Sequence, residues 1–256
     1  AAAYKHVPLM EDNTYEAVKT NIIGSINLMD LAIDKKVDKF VMISTDKAVN
    51  PTNVMGATKR IAEMYTMCLK DNGNTKFITT RFGNVLGSNG SVVPLFKRQI
   101  EAGGPITVTH KDITRYFMTI PEACQLVLEA GAMGKGDEIF VFEMGKSIKI
   151  FDLALKMIQL SGLKYPDEMD IKIVGLRPGE KIYEELLVNG ENTLPTYHEK
   201  ILIAKVKDID TNQVKQSILE LCALSKNCDK LATVKKIKEI IPEYISNNSE
   251  FEKLDS

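Results

Sequence analysis

The sequence predicts an α/β fold with a largely parallel sheet. Short apolar runs of strand length alternate along the chain with longer segments whose apolar residues recur at helical spacing. This alternation is typical of a sheet whose crossover helices cover its faces. The chain has 256 residues, of which 44% are hydrophobic, so it can bury one large core or two small ones.

The first half of the chain supplies helices and strands in turn. The spacing of apolar residues predicts a helix over 14–36, a strand over 39–44, a helix over 54–73, a strand over 75–83 and a helix over 91–104. Gly73 or Asn74 is the expected end of the second helix, and a glycine pair ends the third, since these residues readily close helices.

The alternation continues to residue 175 and then changes character. We predict a strand over 106–110, a helix over 120–134 with Pro121 in its first turn, a strand over 138–144, a helix over 148–162 and a strand over 169–175. A further helix is expected to begin within 176–187, with Pro178 and Glu180 near its start, and two lysine-rich amphipathic helices follow in 211–245. The polar, acidic residues 246–256 are expected to fray.

Composition excludes several classes of function. The formal net charge is -1 and 26% of the residues are charged, which indicates no nucleic acid and no anionic membrane surface as partner. The four cysteines form no CxxC pair and the three histidines have no partner at ligand spacing, so we expect reduced thiols and no metal site. No apolar run approaches the ~20 residues that span a bilayer, so we expect no membrane contact from this segment.

A cluster of reactive side chains follows one predicted strand. Ser44, Thr45, Asp46 and Lys47 come directly after the run KFVMI, and the carboxyl ends of parallel strands line the ligand crevice of such sheets. The alternative is a polar turn, in which Thr45 or Asp46 caps the local backbone and the lysine lies in solvent.

The next helix returns two more side chains to the same strand end. Met55 and Lys59 are four residues apart, so they share one helix face. Many nicotinamide-dependent enzymes carry a Tyr and a Lys at that spacing. The Met thioether cannot exchange a proton, so the sequence indicates either an inactive site or one whose protons move through other groups.

These segments together resemble the extended short-chain dehydrogenase/reductases, and more narrowly the UDP-N-acetylglucosamine 4,6-dehydratases of bacterial polysaccharide and glycan biosynthesis. The resemblance covers about residues 1–205. It is carried by STDKAVNPTNVMGATKR, AAAYKHVPLME, TNIIGSIN, RFGNVLGSNGSVVPLFKRQI, GGPITVT, TRYFMTIPEA and GLRPGEKIYEELL. Met in place of Tyr is similar to the long, membrane-anchored members, whereas the short members keep Tyr.

The resemblance implies a Rossmann-like, doubly wound parallel sheet, without its N-terminal strands, beside a smaller α/β substrate-binding part. Residues 1–105 would be the C-terminal portion of an NAD(P)-binding domain, to which a strand and a helix near 120–145 return. Residues 106–205 would bind the nucleotide sugar, and 206–256 would form C-terminal helices and a frayed tail.

The reaction that the resemblance implies moves hydride from C4 of a hexose to the nicotinamide, removes water across C5 and C6, and returns hydride to C6. The protein must supply an acid, a base and orientation. The resemblance makes Asp46 the acid, if burial raises its pKa, and Lys47 the base, if desolvation or the Lys59 ammonium lowers its pKa. Thr45 would bind the C4 oxygen, and the acceptor of the O4 proton stays open between Asp46 and a water held by Thr45. The candidate catalytic residues are Thr45, Asp46, Lys47, Met55 and Lys59.

The same resemblance places cofactor and substrate residues. The candidates for an NAD or NADP site are Ala2, Ala3, Lys5, Ser44, Lys59 and Phe82. The candidates for a UDP-sugar site are Asn84, Val92, Arg115, Arg177 and Glu180. Each has an ordinary alternative: small residues at a strand end, an Asn in a turn, or a solvated Arg.

One part of a dinucleotide site is missing from the sequence. A Gly-rich turn after a first strand, with an acid about 20 residues on, occurs nowhere in the chain. We therefore expect a chain truncated at its N-terminus that binds NAD(H) poorly alone, from a parent on the cytoplasmic side of a membrane to which an earlier region anchors it. Extended members often associate, so a homo-oligomer is compatible with the resemblance.

Two other functions stay open at this stage. A nucleotide-sugar 4-epimerase of the same fold would need the Tyr hydroxyl that Met55 replaces. A non-catalytic nucleotide-sugar-binding protein would be expected to lose Asp46 and Lys47, and both are present.

Overall fold

The protein is described by a computed structural model over residues 2–70, 74–187, 192–206 and 209–255. The strands are β1 (Lys39–Ile43), β2 (Lys76–Arg81), β3 (Asn84–Val85), β4 (Ile106–Val108), β5 (Thr114–Arg115), β6 (Phe117–Met118), β7 (Ile139–Phe142), β8 (Ile148–Lys149), β9 (Ile171–Ile173), β10 (Asn192–Pro195) and β11 (Ile201–Lys205). The helices are α1 (Val7–Asp12), α2 (Thr14–Ala17), α3 (Gly24–Asp34), α4 (Val54–Met67), α5 (Val92–Glu101), α6 (Ile120–Met133), α7 (Ile150–Leu160), α8 (Thr211–Ser225) and α9 (Lys230–Ile240).

Five strands form the main sheet in the order β1-β2-β7-β11-β10. The first three pair in parallel, and β11 runs antiparallel to both of its neighbours. Successive residues of β2 point to opposite faces: Phe77 packs with α1 to α4, α8 and α9, whereas Ile78 packs with α6. A sheet with three parallel strands and with helices covering both faces confirms the predicted Rossmann-like α/β fold.

A smaller lobe lies beside this sheet. Its core joins α5 and α7 to the parallel pair β4 and β9 through Phe96, Ile106, Ala154 and Ile171. The observed division differs from the predicted boundaries, because α5 packs in the lobe while β10 and β11 join the main sheet. The apolar face of α5 matches α7 and β4, and β11 supplies the hydrogen-bonding partner that β7 needs on its second edge.

Residues 176–187 contain no helix, so the helix predicted there is wrong. Their backbone groups bond to distant parts of the chain instead: Arg115 donates to the carbonyls of Lys181 and Ile182, and Gly179 donates to the carbonyl of Asn247. Gly179 has a φ of 75°, which glycine adopts without strain. A Cβ there would also lie 2.4 Å from the Cβ of Asn53.

The two predicted C-terminal helices form as α8 and α9, with Asp210 and Asp229 as their N-caps. The expectation that residues 246–256 fray is wrong for the part that the structure describes. Residues 250–254 form a short 3₁₀ helix with a Ser249–Glu252 capping box, and Phe251 is fully buried in the main core. The burial of one aromatic side chain stabilises this tail.

Within the described ranges, no helix combines the length and the apolar character required to cross a membrane.

Candidate active site

A cavity of about 530 Å³ lies where the carboxyl ends of β1 and β2 face the smaller lobe. Thirteen of the predicted site residues line it: Ala3, Lys5, Ser44, Thr45, Lys47, Met55, Lys59, Phe82, Asn84, Val92, Arg115, Arg177 and Glu180. The structure therefore brings together residues from five separate segments. Ala2 is exposed and Asp46 is fully buried, and neither belongs to the lining.

The turn after β1 continues the pairing of the sheet. The backbone N–H of Ser44 donates to Thr80 at 2.7 Å, and that of Asp46 donates to Phe82 at 3.1 Å. Residues 46–48 then form one 3₁₀ turn that the Thr45 hydroxyl caps. This turn presents Thr45 and Lys47 to the cavity and directs Asp46 inward, where a Cβ added to Gly83 would lie 3.2 Å from its Oδ2.

Four of these side chains form one hydrogen-bonded chain. The Thr45 hydroxyl donates to Asp46 Oδ1 at 2.8 Å, and Lys47 Nζ donates to the same oxygen at 2.9 Å. Lys47 also donates to Asn84 Oδ1 at 3.0 Å. Among the described residues, the side chains that link the Asp46 carboxylate to the cavity by hydrogen bonds are therefore Thr45 and Lys47.

A second carboxylate, which the sequence analysis missed, completes the cluster. Glu184 lines the cavity, and its Oε1 lies 3.7 Å from Lys47 Nζ and 3.6 Å from Arg115 Nε. Its Oε2 is buried and accepts no hydrogen bond from the residues that the structure describes. Burial raises the pKa of Glu184, and the nearby Asp46 carboxylate raises it further.

The charge state of Lys47 differs from the expectation. Burial alone would lower its pKa, but the carboxylates of Asp46 and Glu184 outweigh burial, so the pKa lies above the usual range. The condition under which Lys47 could rest as a base, a pKa lowered by desolvation or by Lys59, is therefore not met. Lys47 rests as an ammonium and must pass a proton to a neighbour before it can act as a base.

Helix α4 carries the other two residues of the predicted cluster. Its N-cap, Asn53, accepts from the N–H of Gly56 at 2.7 Å. A Cβ on Gly56 would lie 2.1 Å from the carbonyl oxygen of Lys47, so glycine is required for the helix to approach the turn. Met55 and Lys59 then both line the cavity. Burial lowers the pKa of Lys59 to about 8.

A π-helical segment over 18–23 holds in place the N-terminal residues that line the cavity. Asn21 within it accepts from the N–H of Tyr4 at 2.8 Å and donates to the carbonyl of Tyr4 at 3.0 Å. Its amide also donates to Thr58 of α4. This arrangement holds Ala3 and Lys5 against the cavity, where Lys5 donates to Ser88 at 3.2 Å.

The two predicted arginines play different parts in the structure. Arg115 is buried, and its guanidinium donates to backbone carbonyls and pairs with Glu180 and Glu184. Arg177 is exposed at the cavity rim. Arg177 is therefore accessible from the cavity, whereas Arg115 mainly holds the 180–184 segment.

The residues that the structure describes form no metal-binding site. Across the described residues, no group of three or more His, Cys, Asp and Glu side chains is placed to hold an ion.

The comparisons with known proteins extend over most of the chain. The model of the family described as polysaccharide biosynthesis protein matches residues 1–206. The capsular polysaccharide biosynthesis protein CapD of Staphylococcus aureus is 61% identical over 207 residues, which are 80% of this chain and 34% of CapD. A UDP-glucose 4-epimerase of Rickettsia rickettsii is 38% identical over 195 residues, or 75% of this chain and 55% of that protein.

A solved structure agrees with these sequence matches. The X-ray structure of Pen from Bacillus thuringiensis superposes with a TM-score of 0.74 at 36% identity, covering 86% of this chain and 74% of Pen. The chain spans about a third of the length of CapD. The resemblance seen in the sequence is thereby confirmed at the level of family and fold, and the chain belongs to the polysaccharide biosynthesis protein family.

Proposed function

We propose that this chain contains the catalytic region of a nucleotide-sugar 4,6-dehydratase that acts on UDP-N-acetylglucosamine with NAD or NADP. One observation carries the proposal: Thr45, Asp46, Lys47 and Asn84 form a hydrogen-bonded chain at a strand end, and all of them except the buried Asp46 line the cavity. An acid–base pair at that place suits proton removal next to a carbonyl group. Membership of the polysaccharide biosynthesis family supports it.

Residues of this chain fit the nicotinamide end of the cofactor. Lys59 lies on the cavity wall, and none of the described residues accepts a hydrogen bond from its Nζ. A desolvated amine that makes no internal hydrogen bond fits a ligand that carries hydroxyl groups, such as ribose. Bound nicotinamide would supply the transient removal of hydride from C4 and its return to C6.

The remaining roles fall to side chains of the cavity. Thr45 would bind the C4 oxygen, and Lys47 would take the C5 proton after it passes its own proton to Asp46. Asn84 holds the Lys47 amine in place. Arg177 and Glu180 at the rim would contact the nucleotide, and Val92 would border the sugar.

A 4-epimerase is the second candidate, because the Rickettsia rickettsii relative is named as one. Met55 disfavours it, since a thioether cannot exchange a proton with the C4 hydroxyl. A binding protein without catalysis is the third candidate.

The test supplies UDP-N-acetylglucosamine and NAD or NADP to the natural full-length protein and identifies the product by mass spectrometry and NMR. We expect a 4-keto-6-deoxy sugar that has lost one water. A C4 epimer of unchanged mass would replace this proposal with the epimerase, and binding without any product would replace it with the binding protein.

A further inference from the structure

Two buried carboxyl groups lie at the cavity, but only one of them belongs to its lining. Asp46 lies behind Thr45 and Lys47, whereas Glu184 belongs to the cavity lining. One oxygen of each carboxylate accepts no hydrogen bond from any residue in the described part of the chain. Of the two buried carboxyls, Glu184 is therefore the one placed to touch a sugar, and the sequence did not single it out.

A 4,6-dehydration requires one proton carrier besides the base that acts at C5. The O4 proton leaves when C4 is oxidised, and a proton must later join the C6 oxygen so that it departs as water. The C5 proton returns to C5 and cannot serve this purpose. Met55, where a Tyr would stand, cannot hold a proton.

We propose that the Glu184 carboxylate accepts the O4 proton as C4 is oxidised and later gives that same proton to the departing C6 hydroxyl. This inference rests on the proposed function and adds a residue to it. In the first step the O4–H bond breaks, its electron pair forms the C4=O bond, and an O–H bond forms on Glu184; a bound nicotinamide would take the C4 hydride.

The later steps return every group to its starting state. Lys47, as the amine, takes the C5 proton, and the electron pair of that bond forms the C5–C6 double bond. The C6–O bond breaks, and its oxygen leaves as water with the proton from Glu184. Hydride is then returned to C6, Lys47 restores a proton to C5, and Asp46 gives back to Lys47 the proton that it took.

The charges around Glu184 couple these steps. It is faced by Asp46 and Lys47 from the 44–48 turn, by Arg115 from β5, and by Lys181 from its own segment. When Glu184 becomes neutral, one of the two carboxylates that raise the pKa of Lys47 is lost. The first proton transfer therefore helps Lys47 to release its own proton to Asp46, 2.9 Å away.

The competing route runs through Thr45. Its hydroxyl donates to Asp46 at 2.8 Å, so the O4 proton could pass from Thr45 to Asp46 without Glu184. A third arrangement gives Glu184 no proton at all and leaves it only to position Lys47.

These routes separate in the natural full-length protein by single-turnover kinetics. The variants are Glu184→Gln, Thr45→Val and, as the matched control, Glu185→Gln, whose exposed carboxylate pairs with Lys181 instead. The two readouts are the formation of reduced nicotinamide, which reports C4 oxidation, and solvent exchange at C5, which reports the base.

We expect Glu184→Gln to slow C4 oxidation roughly 10²–10⁴-fold and Glu185→Gln to match the wild type. Oxidation at the wild-type rate in Glu184→Gln overturns the inference. In that event, slow oxidation in Thr45→Val would assign the role to Asp46, and a loss confined to C5 exchange would leave Glu184 as a positioning residue. Absence of any keto product from the wild type would instead overturn the proposed function itself.

A second measurement does not depend on turnover. In the chain labelled with isotopic glutamate, the carboxyl signal that disappears in Glu184→Gln is followed by NMR as the pH changes. We expect its titration midpoint to lie above 4.5, the ordinary value of a glutamate carboxyl, and to fall when Asp46→Asn removes a neighbouring charge. A midpoint at or below that ordinary value contradicts a proton-holding role, and thermal unfolding confirms that each variant is folded.

Discussion

Two buried charge clusters lie next to each other in this protein, and they differ in how completely they are paired. In the first, Glu63 accepts from Arg81 Nε at 2.9 Å and Nη2 at 2.8 Å, and it also accepts from Arg60 at 3.1 Å. Both Glu63 and Arg81 are fully buried. Burial raises the pKa of Glu63, but Arg81 outweighs burial and brings the value to about 2.

The second cluster, the cavity cluster, also combines buried carboxylates with cations, but its carboxylates are not fully paired by the residues that the structure describes. Asp46 and Glu184 each keep an oxygen without a partner among the described residues, and the pKa of Glu184 is raised by burial instead of lowered by its cations. A carboxylate with complete bidentate pairing is locked in its charged form, whereas one with incomplete pairing can change its charge. The first cluster therefore serves stability, and the second suits proton transfer.

The largest expected effect comes from the cavity cluster. Asp46→Asn keeps the shape of the side chain but removes the group to which Lys47 passes its proton, so turnover should fall roughly 10²–10⁴-fold. The measurement is the rate of 4-keto product formation in the natural full-length protein. Retained turnover would remove Asp46 from the mechanism, and the unfolding temperature serves as the control for structure.

The corresponding substitution in the first cluster should lower the stability of the folded protein. Glu63→Gln leaves the Arg81 guanidinium buried without its charged partner, so the free energy of unfolding should fall by about 3–5 kcal/mol. Denaturant titration of the chain measures this change. A loss of turnover per folded molecule, without a loss of stability, would contradict the division between the two clusters.

The pH dependence of stability should sharpen the same comparison. The pKa of Glu63 falls on folding from 4.5 to about 2, so its contribution is complete above pH 4.5 and is lost as the pH falls toward 2. The loss should be about 3 kcal/mol. Denaturant titrations at several pH values should show this slope in the wild type and not in Glu63→Gln; equal slopes would refute it.

The smallest effect is expected at the C-terminal strap, residues 245–249, which contacts the loop that carries Arg177 and Glu180 at the cavity. The Asn247 amide donates to the carbonyl of Glu180 at 2.7 Å, and one such hydrogen bond contributes about 1 kcal/mol. Asn247→Ala should raise KM for the UDP-sugar several-fold and leave kcat nearly unchanged. The control is Gln216→Ala, which removes an exposed amide on α8. An unchanged KM in Asn247→Ala would show that the strap does not support the cavity.

The sequence predicted those parts of the molecule whose causes are local. The unit from β1 through α4 follows from apolar periodicity, and its turn places Thr45 and Lys47 at the cavity. The segment 176–187 could not be predicted in the same way, because Arg115 and Asn247 bind its backbone from distant positions.

The place of Glu184 in the site could not be predicted from the local sequence either. It stands beside Glu185 in the sequence, and nothing local distinguishes the two carboxylates. Only the fold places Lys47 and Arg115 against the first and leaves the second exposed. The raised pKa of Lys47 was missed for this reason, since the second of its two carboxylate neighbours was unknown.

The C-terminal strap has a consequence for exchanging parts between relatives. The family model ends at residue 206, yet Asn247 and Asn248 hold the loop that carries Arg177 and Glu180, and Ile245 bonds to Pro51 just before α4. A chimera joined at residue 206 would include every residue that lines the cavity but would lack the C-terminal strap that holds one of the cavity's loops. Grafting experiments should therefore move residues 1–255 as one unit.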